Sequence, residues 1–238
     1  MTFRPMILAL LLVVAGAIGG GVVLGVQALL PAPAASDVRG YLLAHPEVIP
    51  EAMTALRDRE TGKAIAANRA GIVEPFAGAV GGNPQGDVTV VAYMDYACGY
   101  CRAALPELDA LVKADPKVRI VYRELPILSA ESRTAAEWSL AAAEQGKFTA
   151  FHEALFAAGR PNQQTIAAAA AAAGLDMPRA TAYAGSAPVA AEITKNLKIA
   201  GELGMSGTPS WVIGDHLASG AIGYEALLDA VKAARAKG

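Results

Sequence analysis

The chain has 238 residues, which is enough for one domain with an insertion or for one domain with a small accessory segment. Hydrophobic residues make up 54% of it and charged residues 18%, so a sizeable core can be buried. The 20 Lys and Arg residues nearly balance the 22 Asp and Glu residues, which leaves no large field of one sign. This balance argues against nucleic acid as a partner.

The N-terminal segment is strongly apolar. Residues 6–30 carry no charge and are apolar or glycine except for one glutamine. A run of this length matches the roughly 20 residues that cross a bilayer and exceeds the usual apolar region of a signal peptide. It therefore predicts an inner-membrane anchor, while Ala32-Pro33-Ala34 keeps open a cleaved signal peptide over residues 1–34. Under either interpretation we expect residues 37–238 to be exported.

Residues 35–73 predict a helical arm. Ser36 or Asp37 can cap a helix that begins near residue 38. A second helix would place four apolar residues on one face, namely Ile49, Ala52, Met53 and Leu56. The arm is too thin to bury this face alone. Two uses are therefore open: packing on the main domain, or association between copies of the chain through residues 37–70.

The remaining segment, residues 74–238, predicts an α/β domain. A turn-rich stretch at 81–86 precedes a β-branched strand at 88–93, a helix at about 98–112 and a second strand at 118–122. Helices are predicted next, over 131–145, 149–158, 167–173 and 188–203. Two short strands and a last helix close the chain, at 210–213, 217–219 and 224–236. This order predicts a small mixed sheet with a helical insertion at about 129–204.

The chain has two cysteines, Cys98 and Cys101, where the first strand of this domain meets its helix. Structural disulfides usually close long loops, so a pair this close favours redox chemistry that needs no bound cofactor. A helix start stabilises a thiolate, which makes Cys98 the attacking sulfur and Cys101, one turn deeper, the resolving one. Gly99 allows a substrate chain to approach closely, and Tyr100 is a tuning position that brings no cation to the thiolate.

A metal site is the main alternative use of the two thiols. A closed zinc site needs two further ligands, and His45, His152 and His216 are far apart in the sequence. Arg102 directly after the second cysteine excludes the haem-attachment pattern. No metal is therefore predicted, although copper(I), which accepts two soft ligands, keeps copper binding or copper tolerance open as an alternative function. A non-catalytic scaffold built on the arm is a third interpretation.

Two motifs together resemble a known family. Cys98-Gly-Tyr-Cys101 after a strand and Gly207-Thr208-Pro209-Ser210 before a later strand are similar to the DsbA family of the thioredoxin superfamily, over roughly residues 74–238. The resemblance implies a thioredoxin-like fold in which Pro209 is cis, faces the redox pair and, with Thr208, docks the client backbone. It also implies clients that contain cysteine and a membrane redox partner that resets the pair.

The arm carries a further resemblance. The segment 41–49, followed by a charged helix, is similar to the N-terminal arm of the suppressor of copper sensitivity protein C branch, where the arm can oligomerise the protein. Many relatives also have a buried acid six residues before the first cysteine, but here the residue is Ala92. Asp95 is the nearest carboxylate, and strand alternation need not point it the same way, which favours water as the proton donor to Cys101.

The direction of the redox reaction is open at this level. Formation of disulfides suits a monomer, whereas isomerisation or reduction suits several domains assembled by the arm. Because Tyr100 stands where a strong oxidase has a histidine, we expect a less oxidising site than in such an oxidase.

Overall fold

The protein is described by a computed structural model that covers residues 35–237, with side chains described for residues 38–237. The predicted anchor or signal peptide, residues 1–34, lies outside the described residues. Among residues 35–237, none of the helices combines the length and the apolar character that crossing a membrane requires.

The chain divides into two compact units, one ending at Ala55 and the other beginning at Leu56. The described part of the first unit consists of helix α1 (Ala35–Ala44) and the start of helix α2 (Val48–Ala67), which confirms the predicted helical arm. Its large apolar side chains are exposed, namely Val38, Tyr41, Leu43, Ile49 and Met53. The predicted domain limits at residues 34 and 73 stay a prediction.

The second unit is built on a five-stranded mixed sheet with the order β1-β3-β2-β4-β5. The strands are β1 (Val80–Gly82), β2 (Val88–Met94), β3 (Val118–Glu124), β4 (Ser210–Ile213) and β5 (His216–Ser219). Strand β2 runs parallel to β3, and the pairs β1·β3, β2·β4 and β4·β5 are antiparallel. Because β2 has neighbours on both sides, the turn that follows it lies in the middle of the sheet, at the C-terminal end of this strand.

Helices cover both faces of this sheet and form the insertion. After α3 (Arg69–Val73) comes α4 (Gly99–Ala114), which directly follows the β2 turn. The insertion contains α5 (Ala130–Glu144), α6 (Phe148–Ala158), α7 (Gln163–Ala172), α8 (Met177–Ala184) and α9 (Ala187–Glu202), and α10 (Tyr224–Lys237) ends the described chain. The predicted α/β fold with a helical insertion is confirmed.

The side chains of β2 alternate between two buried clusters. Val90, Ala92 and Met94 belong to the cluster that contains Cys101 of α4 together with residues of α10 and of the insertion. Val91 and Tyr93 belong to the other cluster, which includes Ile65 of α2. The strand is therefore buried on both faces, as its run of apolar residues predicts.

Two elements were not predicted from the sequence. Strand β1 includes Gly81 and Gly82, which the sequence places in a turn-rich stretch, and Gly82 has a positive φ of 63° where the strand ends. Helix α8 is short, and it begins after Asp176, whose side chain accepts a hydrogen bond from the Arg179 backbone N–H. Pairing with β3 defines the strand, and the Asp176 cap marks where the helix begins.

Candidate redox site

Cys98 lies at the N-terminal end of α4. It is the N-cap residue, with extended backbone dihedrals, and its sulfur accepts a hydrogen bond from the Cys101 backbone N–H at 3.4 Å. The Cys98 N–H in turn donates to the Asp95 carbonyl oxygen at 3.0 Å, which closes the turn between β2 and α4. The first turn of a helix has unpaired N–H groups, so this position can stabilise a thiolate.

Cys101 lies on the inner side of the same helix turn. Its side chain is fully buried, whereas Cys98 keeps 6% of its surface exposed, and both residues are free thiols. Burial raises the pKa of the Cys101 thiol well above its ordinary range, because a thiolate there would lose its hydration. Both cysteines are therefore buried, Cys101 completely and Cys98 almost completely, although an exposed Cys98 is expected from the sequence; the attacking and resolving roles stay predictions.

The loop before β4 lies against the redox pair. The Thr208–Pro209 peptide bond is cis, as the family resemblance implies. The Cys98 thiol donates a hydrogen bond to the Thr208 carbonyl oxygen at 3.2 Å. The fold thus brings together Cys98, Cys101, Thr208 and Pro209, although 110 residues separate Cys98 from Thr208. The roles assigned to these residues stay predictions.

The two residues between the cysteines are accessible. The Tyr100 side chain is 71% exposed. A Cβ atom added at Gly99 would meet no other heavy atom within 4 Å, so the space in front of the redox turn is open. The two positions are therefore open to contact from outside, and the tuning roles of Gly99 and Tyr100 stay predictions.

Asp95 serves as a backbone clamp. Its side chain is buried, and its two carboxylate oxygens accept hydrogen bonds from the backbone N–H groups of Ala97, Ile127 and Leu128, at 2.8, 2.9 and 3.0 Å. These bonds join the redox turn to the loop that follows β3. The sequence identified Asp95 as the nearest carboxylate, but this joining role depends on a loop 32 residues further along the chain.

A buried polar network adjoins the turn. The hydroxyl of Tyr96 donates to Ser139 Oγ at 2.8 Å and lies 2.9 Å from His152 Nδ1, while Ser139 donates to Glu124 at 2.8 Å. Burial raises the pKa of Glu124 to about 8 and lowers that of His152 to about 3. Sequence reasoning missed this network, because its four members come from the redox turn, β3, α5 and α6.

Position 92 is occupied by a fully buried alanine. Ala92 pairs with Tyr122 on β3 and with Trp211 on β4. The position at which the family resemblance implies an acid is therefore apolar in this chain. Glu124, a buried acid at the end of β3, accepts hydrogen bonds from Ser139 and Tyr96.

The side chains that could ligate a metal are dispersed within the described residues. Within residues 35–237, His, Cys, Asp and Glu side chains form no group of three or more that could hold a metal ion. His152 is enclosed by aromatic rings, with Tyr122 at 4.7 Å and Phe156 at 4.9 Å between ring centroids. His45 pairs with Glu47 in the arm, and His216 lies on β5.

Comparison with known proteins agrees with this geometry. The family model of the DSBA-like thioredoxin domain matches residues 89–232. The structure of a thioredoxin-like oxidoreductase from Silicibacter pomeroyi is 44% identical and covers 71% of this chain and 98% of its own, with a TM-score of 0.68. The thiol-disulfide exchange protein alpha-DsbA2 from Wolbachia pipientis is 27% identical and covers 75% and 97%, with a TM-score of 0.70.

The chain therefore belongs to the DSBA-like thioredoxin domain family, whose members are thiol-disulfide oxidoreductases. Within it, the chain resembles the ScsC branch, since the family model of the copper resistance protein ScsC N-terminal domain matches residues 38–61. A linker-deletion mutant of Proteus mirabilis ScsC is 25% identical and covers 85% of this chain and 93% of its own, with a TM-score of 0.71.

The curated relatives that match are longer proteins. The Na(+)/H(+) antiporter NhaA 3 of Salinispora tropica is 33% identical over 169 residues, which are 68% of this chain and 25% of the antiporter. The chain thus spans about a quarter of the length of the curated relatives it matches.

Proposed function

We propose that the chain is a periplasmic dithiol-disulfide oxidoreductase that acts on cysteines of exported polypeptides, with Cys98 attacking and Cys101 resolving. The observation that carries the proposal is the contrast between the two thiols. Cys98 lies at the first turn of α4, where it accepts the Cys101 N–H, and Cys101 is buried with its thiol pKa raised. Burial therefore disfavours loss of the Cys101 proton, which supports Cys98 as the attacking sulfur.

The exchange proceeds in two displacements. The Cys98 thiolate attacks one sulfur of a client disulfide; the client S–S bond breaks, a mixed disulfide forms, and the released client thiolate takes a proton from water. Cys101 then loses its proton and attacks Cys98 Sγ, which releases the second client sulfur and leaves a Cys98–Cys101 disulfide. The client gains two electrons that the pair loses. The reverse sequence oxidises a client dithiol.

Isomerisation begins with the same first displacement but does not use the attack by Cys101. A second cysteine of the client resolves the mixed disulfide, so the electrons stay within the client and Cys101 is not consumed. The buried, protonated state of Cys101 slows its own attack and leaves time for that rearrangement. Both directions require the Cys98 sulfur.

The test uses the full chain in detergent with two substrates: a test protein with mispaired disulfides, and a reduced peptide with two cysteines. Reactivation of the mispaired protein indicates an isomerase, and rapid oxidation of the peptide indicates an oxidase. Cys98→Ser should abolish both reactions, whereas Cys101→Ser should accumulate the mixed disulfide, seen by mass spectrometry. Exchange at an unchanged rate in Cys98→Ser would contradict the proposal.

The arm is proposed to associate copies of the chain. Its apolar residues, including Tyr41, Leu43 and Met53, are exposed, and the ScsC N-terminal model matches this segment. Light scattering should report an oligomer that dissociates in the double variant Tyr41→Ser, Met53→Ser. The matched control is Met177→Ser, which removes an exposed methionine of the second unit. A monomeric full chain would contradict this association.

Export and resetting follow from the same proposal. The apolar segment 6–30 fits an anchor or a signal peptide, and a membrane redox partner would restore the Cys98–Cys101 pair after each turnover. Trapping the full chain in membranes with Cys101→Ser should yield a mixed disulfide between Cys98 and that partner.

Copper binding is a second candidate, because the two free thiols share one helix turn and copper(I) accepts two soft ligands. It predicts one copper(I) per chain, retained against a competing chelator and lost in Cys98→Ser. Equal copper retention by the variant would remove this candidate.

A further inference from the structure

A cavity of about 180 Å³ lies where the sheet meets the helical insertion. Its walls come from β1, from the second half of α4, from β3 and from the first half of α6. The wall residues of α4 begin at Leu105, about two turns after Cys98, so the cavity is distinct from the redox site. Pockets for drug-sized ligands measure roughly 300–1,000 Å³, so this one fits a ligand the size of one ring with a short substituent.

The inner wall of the cavity contains a buried histidine with one unpaired nitrogen. His152 keeps 4% of its surface exposed, and no group of residues 38–237 forms a hydrogen bond with its Nε2 atom. Its other ring nitrogen, Nδ1, lies 2.9 Å from the Tyr96 hydroxyl. Because an unpaired buried polar atom costs free energy, such an atom in the wall of a cavity marks a place where a ligand can bind.

The hydrogen bonds of Tyr96 determine which ring nitrogen of His152 carries the proton. Tyr96 has one hydroxyl proton, and it donates this proton to Ser139 Oγ at 2.8 Å. Nδ1 of His152 therefore donates to the Tyr96 oxygen. Burial lowers the pKa of His152 to about 3, so the ring has no second proton at neutral pH. Nε2 is thus an acceptor, and it suits a ligand with an N–H or O–H group.

The rest of the inner wall is aromatic and apolar. The rings of Tyr122 and Phe148 lie 4.7 and 5.1 Å from the ring of His152, between centroids. Leu108 and Ile120 belong to the same wall. A ligand that fits here has an apolar part, and a cation is attracted to the faces of aromatic rings.

The mouth of the cavity carries more negative than positive charge. Among the described residues, its charged side chains are the carboxylates of Asp109 and Glu153 and the ammonium group of Lys113, all of them exposed. Burial raises the pKa of the Tyr122 phenol, and the carboxylates of Asp109 and Glu153 raise it further. Both carboxylates therefore act on the aromatic wall, and they favour a cation over an anion as the ligand.

We infer that this cavity binds a small organic ammonium ion, whose N–H group donates to His152 Nε2 and whose apolar part lies against Tyr122 and Phe148. Asp109 and Glu153 at the mouth attract the positive charge. The site does not depend on the proposed exchange reaction, since neither cysteine contributes to its walls. Because the walls belong to the sheet and to the insertion, an occupant that binds only the folded chain should also stabilise it.

The test uses the full chain in detergent, isotopically labelled at the histidine nitrogens, with benzylammonium as the probe. In nuclear magnetic resonance, Nε2 of His152 should give the signal of an unprotonated ring nitrogen. Benzylammonium should shift this signal with a dissociation constant of about 1 mM or lower. The signals of His45 and His216, the other two histidines, should show no saturable shift in this range. The unfolding temperature should rise with the probe concentration.

Two further probes test the charge of the ligand. Benzyl alcohol keeps the ring and a hydrogen-bond donor but is neutral, and it should bind at least about fivefold more weakly than benzylammonium. Benzoate has the opposite charge and should leave the Nε2 signal of His152 unchanged.

Three variants test the residues. His152→Phe keeps a ring but removes the acceptor, and it should weaken binding of benzylammonium about tenfold or more. The double variant Asp109→Asn, Glu153→Gln changes exposed side chains only and should weaken binding about threefold to tenfold. The matched control Asp229→Asn, Glu225→Gln removes the same two charges from α10 and should bind the probe as tightly as the unchanged chain.

Four results would contradict the inference. An Nε2 signal of His152 that does not respond to benzylammonium would show that the cavity holds water only. A protonated Nε2 would remove the acceptor on which the site depends. Equal affinity for benzyl alcohol and benzylammonium would exclude a site for cations. Equal weakening in the two double variants would assign the attraction to the net charge of the chain.

Discussion

The phenol oxygen of Tyr96 lies 2.9 Å from Nδ1 of His152, which joins the turn before Cys98 to helix α6 of the insertion. Both side chains are buried. The same phenol donates to Ser139 of α5, so the insertion is attached to the redox turn by polar groups as well as by apolar packing. Buried hydrogen bonds of this kind depend on the protonation states of their members.

His152 should make the protein less stable in acid. Burial lowers its pKa to about 3 from 6.5, so below pH 6.5 the unfolded chain takes up a proton that the folded chain does not. The free energy of unfolding therefore keeps its full value above pH 6.5 as far as this group is concerned. It decreases as the pH falls from 6.5 towards 3, by up to about 1.4 kcal/mol per pH unit. Urea unfolding between pH 7 and pH 4 should show a shallower dependence in His152→Gln than in the unchanged chain. Parallel curves would contradict this expectation.

Glu124 should change the pH dependence of the unfolding free energy in the direction opposite to His152. Its pKa is raised to about 8 from 4.5, mainly by burial, so between these values the folded chain holds a proton that the unfolded chain has released. The free energy of unfolding therefore decreases as the pH rises from 4.5 to 8, by up to about 1.4 kcal/mol per pH unit from this group. Glu124→Gln keeps the acceptor for Ser139 and should remove that decrease. A variant whose stability falls as steeply as that of the unchanged chain would argue against a proton on Glu124.

Removing the Asp95 carboxylate should loosen the redox turn. Asp95→Ala leaves the N–H groups of Ala97, Ile127 and Leu128 without their acceptor, which should cost about 2–4 kcal/mol of unfolding free energy. Asp95→Asn keeps one oxygen acceptor and should lose less. Hydrogen exchange of the Ile127 and Leu128 amides reports the effect directly, and unchanged protection in Asp95→Ala would be inconsistent with the clamp.

Arg123 and Arg133 both form ion pairs, and replacing Arg123 should destabilise the protein more than replacing Arg133. Its buried guanidinium contacts Glu192 and the backbone carbonyls of Gly71, Ile72 and Glu74 at the end of α3. Arg123→Met removes the donor to these carbonyls and leaves Glu192 with Lys195 as its ion-pair partner, and it should lower the unfolding free energy by about 3 kcal/mol or more.

The matched control is Arg133→Met, which breaks a partly exposed i,i+4 pair with Glu137 and should cost less than about 1 kcal/mol. Equal losses in thermal or urea unfolding would show that burial does not decide the value of these pairs.

The fold could be predicted largely because local patterns and packing agree. The β-branched run at 88–94 is a strand buried on both faces, and the predicted end of the last insertion helix at residue 203 differs by one residue from the end of α9 at Glu202. Strand β1 was missed because its three residues include two glycines, so only pairing with β3 defines it. Cooperative pairing of this kind has no local signal.

The site was predictable where its chemistry is local. Cys98 and Cys101 need only a strand followed by a helix start, and both are where the motif predicts. In the sequence, nothing distinguishes Tyr96 from an ordinary aromatic residue of the core. Its partners Glu124 and His152 are 28 and 56 residues away. A polar network assembled from distant segments leaves no spacing by which a single sequence could reveal it.

The central position of β2 also has a mechanical meaning. Under the proposed function, a client joined to Cys98 by a mixed disulfide is a large, moving chain tethered just beyond the end of this strand, and its thermal motion pulls on Cys98. That load passes into two neighbouring strands at once, through the parallel ladder with β3 and the antiparallel ladder with β4. Several backbone hydrogen bonds must then break together, rather than one after another as at a sheet edge. The reactive sulfur is thereby fastened to the part of the sheet that resists a tethered client most.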